Sequence, residues 1–224
     1  MASAWRVARS LAQEILETIM GLYSHYILPR VLDIACSNRA VAEVRQAIVP
    51  EAEGTVVEVG IGSGLNLPHY DPAKVGRVIG VDPDDQLWRR AGKRRSDRGF
   101  AIERLGSSAE SIALDSDVAD TVVVTFSLCS IPMVVEALVE MRRVLRPGGR
   151  LLFAEHGLAP DERVVRWQRR LDPIWGRIAG GCHLSRPILR LLQDAGWRLD
   201  RVDRSYLKGP KPMSYVYRGS AVPA

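Results

Sequence analysis

No run of about eighteen apolar residues occurs anywhere in the 224-residue chain, and its start lacks a compact apolar stretch ahead of a small-residue cleavage site. The expectation is a soluble, cytoplasmic protein. Cysteine is scarce: Cys36, Cys129 and Cys182 are far apart and form no C-x-x-C pair, which argues against a disulfide framework and for a reducing compartment. The four histidines, His25, His69, His156 and His183, show no metal-ligand spacing, so no metal is expected. There is no Gly-Lys-Ser/Thr for a nucleoside triphosphate loop, no internal repeat and no linker long enough to split the chain. What is present is ordinary globular composition, 46% apolar and 25% charged with 19 Gly and 13 Pro, which excludes disordered and collagenous classes. The net charge of +5 would suit a nucleic acid or an acidic membrane surface but requires neither.

Residues 1 to 50 read as a helical extension. Leu11, Ile15, Leu16, Ile19, Leu22, Tyr23, Tyr26 and Ile27 recur at three- and four-residue spacing, Pro29 is expected to break this helix, and a second helix runs from the Ser37-Asn38 cap toward Val49. Residues 51 to 224 change texture. Short β-branched runs (Thr55 to Val59, Arg77 to Val81, Ala101 to Leu105, Asp120 to Phe126, Arg150 to Ala154) alternate with helical stretches, the pattern of an α/β fold whose parallel strands are buried on both faces. Helices are expected from Asp82-Pro83 to about Gly99, from Pro132 to Leu145, from Glu162 to Leu171, and after Ser185 as cap with Pro187 just inside. Two closing strands, near Trp197 to Tyr206 and Met213 to Arg218, form a hairpin-like pair.

The first strand ends in Glu58-Val59-Gly60-Ile61-Gly62-Ser63-Gly64, whose three alternating glycines let a backbone turn tightly and present N–H groups to a ligand. A dinucleotide fingerprint counted from Gly60 or Gly62 would need a small residue where Leu65 and Leu67 stand, so NAD is disfavoured. Asp82 ends the second strand, at the distance where an acid takes ribose hydroxyls in nucleotide-binding sheets, although it also reads as a helix cap before Pro83. Ser107-Ser108-Ala109-Glu110 either edges an adenine or forms a capping box.

These pieces, together with Leu145-Arg146-Pro147-Gly148-Gly149, resemble the class I S-adenosylmethionine-dependent methyltransferases in order and spacing over residues 54 to 218. The resemblance implies a doubly wound seven-stranded sheet, mostly parallel with the last strand antiparallel, and S-adenosylmethionine as cofactor. It further implies that Glu58, Gly60, Gly62 and Gly64 surround the cofactor's amino-acid part. Asp82 and Pro83 would lie at its ribose, Ser108, Ala109 and Glu110 at adenine, and Ser127 beside the methionine portion. A narrower resemblance rests on Ser127-Leu128-Cys129-Ser130, Glu155-His156-Gly157, Leu171-Asp172-Pro173-Ile174-Trp175 and Gly181-Cys182-His183-Leu184-Ser185-Arg186. It is to the branch of methyltransferase-like proteins that contains alkyl-thiol S-methyltransferases, and it implies methyl transfer to a small thiol or sulfide.

For such chemistry His156, at the end of the fifth strand, and His183 are candidate bases, each equally readable as a histidine that orients a loop. Tyr26, Cys129, Trp167, Trp175 and Cys182 are candidates for the acceptor wall, with core packing as the plain alternative for the tryptophans and for Cys129. The N-terminal helix, with Tyr23, His25 and Tyr26, reads as a lid or as a weak contact with a membrane surface. A lipid, quinone or amine acceptor is the alternative to a thiol. The basic run Arg89, Arg90, Lys93, Arg94, Arg95 and Arg98 reads as a solvated helix face, and no nucleic-acid partner is expected.

Overall fold

The computed structural model describes residues 18, 21–96 and 98–224. Leu11, Ile15, Leu16 and Ile19 of the expected first helix lie outside the described residues. Among the described residues one sheet carries seven strands: β1 (Gly54–Val59), β2 (Val75–Val81), β3 (Ala101–Leu105), β4 (Ala119–Thr125), β5 (Leu145–His156), β6 (Trp197–Tyr206) and β7 (Tyr215–Pro223). Their order is β3-β2-β1-β4-β5-β7-β6. The first five run parallel, while β7 is antiparallel to both neighbours, β5 and β6. The winding reverses between β1 and β4, and the crevice at the carboxyl ends of these two strands is where this architecture binds ligands.

The continuous apolar runs are explained by burial on both faces. Val57, Val59, Val122, Val124, Leu151 and Phe153 point into one core layer, and Val56, Val78, Val123, Leu152 and Ala154 into the other, so adjacent residues of one strand serve opposite layers. The first layer is completed by α4 (Val134–Val144) and α6 (Ile188–Asp194), the second by α2 (Arg39–Ile48). Asn38 caps α2 by accepting from the N–H of Val41, as its residue type favours.

Several boundaries differ from the sequence expectation, each for a local reason. Pro29 does not break the first helix. Tyr23–Ile27 form a π turn, closed by the N–H of Leu28 on the carbonyl of Tyr23, and α1 (Leu28–Cys36) follows directly. The wider turn accommodates the proline, whose missing N–H falls in the first turn of α1. The helix after β2 does not start at Pro83 or reach Gly99. Asp84, not Asp82, is its cap, α3 covers only Asp85–Arg89, and Gly92 at φ 39° introduces a short 3-10 turn. The helix expected to end at Leu171 continues through Pro173 as α5 (Glu162–Ile178). The Asp172 carboxylate on α5 takes the N–H of Leu184 at 2.6 Å and the N–H and hydroxyl of Ser185, which removes Ser185 as a cap for α6. No helix follows Ser107, so the capping box does not form, and Met213 belongs to the short α7 (Lys211–Ser214) rather than to β7.

Candidate active site

A cavity of about 360 Å³ opens at the β1/β4 switch point. Its first wall is the loop after β1. Gly60 bonds Val81 O through its N–H at 2.8 Å and has φ 74°, and a Cβ there would meet the Ser127 hydroxyl at 2.1 Å. Only glycine satisfies both the left-handed backbone and the close approach. Asp82 then ties this loop to the next: its Oδ2 accepts the N–H of Gly62 and its Oδ1 that of Asp84, both at 2.8 Å. Each oxygen keeps a further lone pair, and Asp82 lines the cavity. Burial raises the Asp82 carboxyl above its usual range despite these two bonds.

The floor is a buried polar network. Glu58 receives the Asn66 amide at 3.0 Å and the Tyr70 hydroxyl at 2.7 Å, so both oxygens are occupied by protein groups. Complete burial pushes it up to about 7, against the lowering effect of those donors and of Arg45. Arg45 comes from α2, ahead of the first strand. It bonds Asn66 Oδ1 at 2.9 Å and Thr125 Oγ1, and its guanidinium stands 5.1 Å from the centre of the Phe126 ring. It is 5% exposed, and its Nε has no hydrogen-bond partner among the described residues. Phe126 itself is held at φ 52°, a costly conformation for a bulky residue, at the point where β4 meets the cavity.

α1 supplies the second wall through Leu28, Leu32, Asp33 and Cys36. Asp33 is 9% exposed and accepts from Ser63 Oγ at 2.5 Å, from Arg94 at 2.9 Å and from Arg90 at 3.4 Å. Burial opposes its charge, but these donors prevail and hold its carboxyl below the usual range. The basic run is thus not one solvated helix face. Arg90 and Arg94 lash α1 to the glycine loop, Arg94 also bonding Ser63 O, while Arg95 stacks 4.9 Å over Trp88.

The remaining wall carries Ser108, Ala109, Glu110, Ser127, Ser130, Ile131 and Pro132. Glu155 shapes it from beneath: its Oε1 accepts the N–H groups of Ser127 and Leu128 at 2.8 and 3.0 Å. Burial raises Glu155 to about 8. Behind Ser130 lie Cys129, His156 and Cys182, with Cys182 Sγ 3.1 Å from His156 Nε2. The Cys129 thiol, hydrogen-bonded by Cys182 and facing His156, is held well below the usual thiol range. Burial disfavours charge on His156, but the facing Cys129 raises it to about 9, while Cys182 is pushed up by its bond to Cys129 and by burial.

The structure places the sequence candidates unequally. Glu58, Gly60, Gly62, Asp82, Pro83, Ser108, Ala109, Glu110 and Ser127 line the cavity, and Gly64 stands one turn behind it, where a Cβ would strike Leu67. His156, Cys129 and Cys182 come together, but behind the cavity wall rather than on it. Trp175 is half-buried beside Cys182, His183 and Tyr26 are exposed, and Trp167 is 55% exposed over Arg170 rather than at the cavity. The side chain of His25 lies outside the described residues. Arg45 and Asp33 were missed by the sequence reading. Arg45 had a signal, since it falls on the buried stripe of α2 with Val44 and Ile48, where an unpaired cation is unusual.

Comparison with known proteins agrees with this geometry. A family described as "Methyltransferase domain" matches residues 57–153. The chain is 36% identical over 149 residues to Thiol S-methyltransferase TMT1B of Rattus norvegicus, covering 64% of this chain and 59% of that protein. It is 30% identical over 194 residues to Thiol S-methyltransferase TMT1B of Homo sapiens, covering 80% of this chain and 76% of that protein. The fold is shared with an S-adenosylmethionine-dependent methyltransferase of Aquifex aeolicus, at TM-score 0.60 and 20% identity over 86% of this chain and 97% of the other. A switch-point cavity walled by a glycine loop and an acid at the end of β2, together with these alignments, settles the matter: the chain belongs to the class I S-adenosylmethionine-dependent methyltransferases, in the branch that contains the thiol S-methyltransferases.

Proposed function

We propose that this protein transfers the methyl group of S-adenosylmethionine to a small thiol or sulfide, with the cofactor seated in the switch-point cavity. The observation that carries the cofactor placement is the convergence of Asp82, the Gly60-Gly62 turn and the buried Arg45 on one cavity. The acceptor class is supported by the names of the relatives that align over most of the chain.

The residues fit the cofactor group by group. The free lone pairs of Asp82 suit the ribose hydroxyls. The guanidinium of Arg45, which lines the cavity, suits a carboxylate through a charge-assisted contact. Ala109, Ile131 and Leu87 offer apolar surface to a purine. When bound, the cofactor supplies an electrophilic methyl group on a sulfonium. The chain's own contribution is positional. Glu155 fixes the Ser127-Leu128 backbone on the acceptor side, α1 keeps water from the cavity's mouth, and Asp33 keeps α1 in place. Alignment of two reactants in a dry site supplies most of the acceleration such a displacement needs. Neither His156 nor His183 reaches the cavity, so general-base catalysis by either is not part of this reading.

Calorimetry with S-adenosylmethionine and S-adenosylhomocysteine, then a turnover screen of small thiols, sulfide, phenols and amines, tests it. Saturable cofactor binding with turnover of a thiol or sulfide is expected. Absence of cofactor binding overturns the site, and turnover confined to amines or phenols overturns the acceptor.

A membrane-surface location is favoured by a separate observation. Ile27, Val31 and Ile34 on the first helix and Trp167, Ile174 and Ile178 on α5 are exposed at helical spacing, and the Tyr23 hydroxyl joins the two helices through Ile178 O at 2.7 Å. Arg163, Arg166, Arg170 and Arg177 follow the same helical spacing on α5, a pairing of apolar and basic residues suited to anionic lipid. Sedimentation with vesicles containing anionic phospholipid should carry the protein down. Its remaining in the supernatant would refute the contact.

A further inference from the structure

Cys129, His156 and Cys182 are supplied by three segments: the loop after β4, the end of β5 and the loop between α5 and α6. Their Sγ atoms and one His156 ring nitrogen all lie within 4.8 Å of one another. Around a tetrahedral ion with bonds of about 2.3 Å to sulfur and about 2.0 Å to nitrogen, donor atoms stand roughly 3.5 to 3.8 Å apart. The cluster is therefore already near the size of a coordination sphere, with Cys182 Sγ and His156 Nε2 at 3.1 Å. Both thiols are shielded from solvent, Cys129 at 2% and Cys182 at 7% exposure.

The backbone that carries them is held independently of the sulfurs. The N–H of His183 bonds Cys129 O at 2.9 Å, and Arg186 bonds Leu128 O and, at 2.7 Å, Ile131 O. On the other side Asp172 accepts the N–H of Leu184 at 2.6 Å. Three donors of this kind are held together before anything binds, an arrangement that lowers the ordering cost of capturing an ion.

We propose that Cys129, Cys182 and His156 form a Cys2His site for a single ion of the zinc class. Two thiolates and an imidazole select a borderline-soft ion such as Zn²⁺ over Mg²⁺ or Ca²⁺. Three protein donors leave the fourth tetrahedral position for a water molecule. Ser130, with its Oγ 3.5 Å from Cys129 Sγ, lines the cavity, so the ion stands directly behind the acceptor-side wall and cross-links it to the loop after α5. The inference does not depend on which acceptor is methylated.

The full chain, kept reduced with a phosphine and stripped of metal by a chelator, is titrated with Zn²⁺ in competition with a chromophoric chelator and, separately, with Co²⁺. One equivalent of Zn²⁺ is expected, and Co²⁺ should give thiolate charge-transfer absorption with the intense visible bands of a tetrahedral site. Cys129→Ser and Cys182→Ser should each weaken Zn²⁺ binding at least about tenfold and reduce the charge-transfer intensity, whereas Cys36→Ser should leave both unchanged. The wild-type titration stands alone if a variant fails to fold. Folded, reduced wild-type chain that takes up neither ion overturns the proposal. So does charge-transfer absorption that survives both cysteine substitutions, or binding lost with Cys36→Ser alone.

Discussion

At the scale of single residues the cavity depends on groups that are costly to bury. Arg45 is the clearest case: its desolvation is offset by Asn66, Thr125 and the Phe126 ring, yet its Nε is left unmatched. If the cofactor carboxylate pairs with the part of the Arg45 guanidinium that lines the cavity, Arg45→Met should weaken S-adenosylmethionine binding by roughly 10- to 100-fold, the worth of about 1.5 to 3 kcal/mol for a hydrogen bond to a charged group. Calorimetry reads this directly, and an unchanged dissociation constant would remove Arg45 from the cofactor site. Glu58 makes a pH-dependent prediction. Its folded value of about 7 lies above the ordinary 4.5, so the folded chain binds the extra proton and stability falls as pH rises through that interval. The full shift corresponds to at most about 3 kcal/mol. Glu58→Gln should therefore flatten the decline in denaturant midpoint between pH 5 and pH 7.

At the scale of elements the question is how α1, which precedes the first strand, becomes a wall of the switch-point cavity. Asp33 answers it, since Ser63, Arg90 and Arg94 converge on one carboxylate from the glycine loop and the α3 region. Part-exposed ion pairs of this kind are individually weak, and the effect comes from several acting on a buried acceptor. Arg94→Ala should loosen α1 more than it lowers global stability. Amide exchange in residues 28–36 is expected to quicken several-fold, with a thermal midpoint shift of only a few degrees. Unchanged exchange there would mean that packing of Leu28 and Leu32 alone holds the helix. The same contact explains why the basic run misled: helical spacing predicts which arginines share a face, not that an acid from another helix will face them.

At the scale of the molecule, cofactor binding and folding are linked, because the cavity walls come from α1, α2, the glycine loop and the loops after β2, β3 and β4. A ligand that contacts so many segments binds only the folded chain. S-adenosylhomocysteine at about 100 times its dissociation constant should add about 2.7 kcal/mol of stability. A melting temperature that does not move with ligand concentration would contradict a cofactor site assembled this way.

The seven-stranded architecture, the glycine turn and the acid after β2 were legible in the sequence because each is a local pattern. Burial on both faces demands continuous β-branched runs, positive φ at Gly60 demands glycine, and Asp82 directly follows the strand that presents it. The helix through Pro29, the shortened α3 and the loss of Ser185 as a cap were not legible, because a π turn, a positive φ at Gly92 and the Asp172 contacts decide them. Nor could spacing show that Arg45 lies 80 residues from Thr125 in sequence yet within hydrogen-bond reach, or that Cys129, His156 and Cys182 meet. The amino-acid order by itself determined the strands and the glycine turn, which rest on periodicity and backbone conformation, and the doubly wound order and the family of chemistry through the resemblance its motifs carry. Only the tertiary structure decided which charges are buried, which histidine faces which sulfur and which helix closes the cavity, because those depend on contacts between segments far apart in the chain.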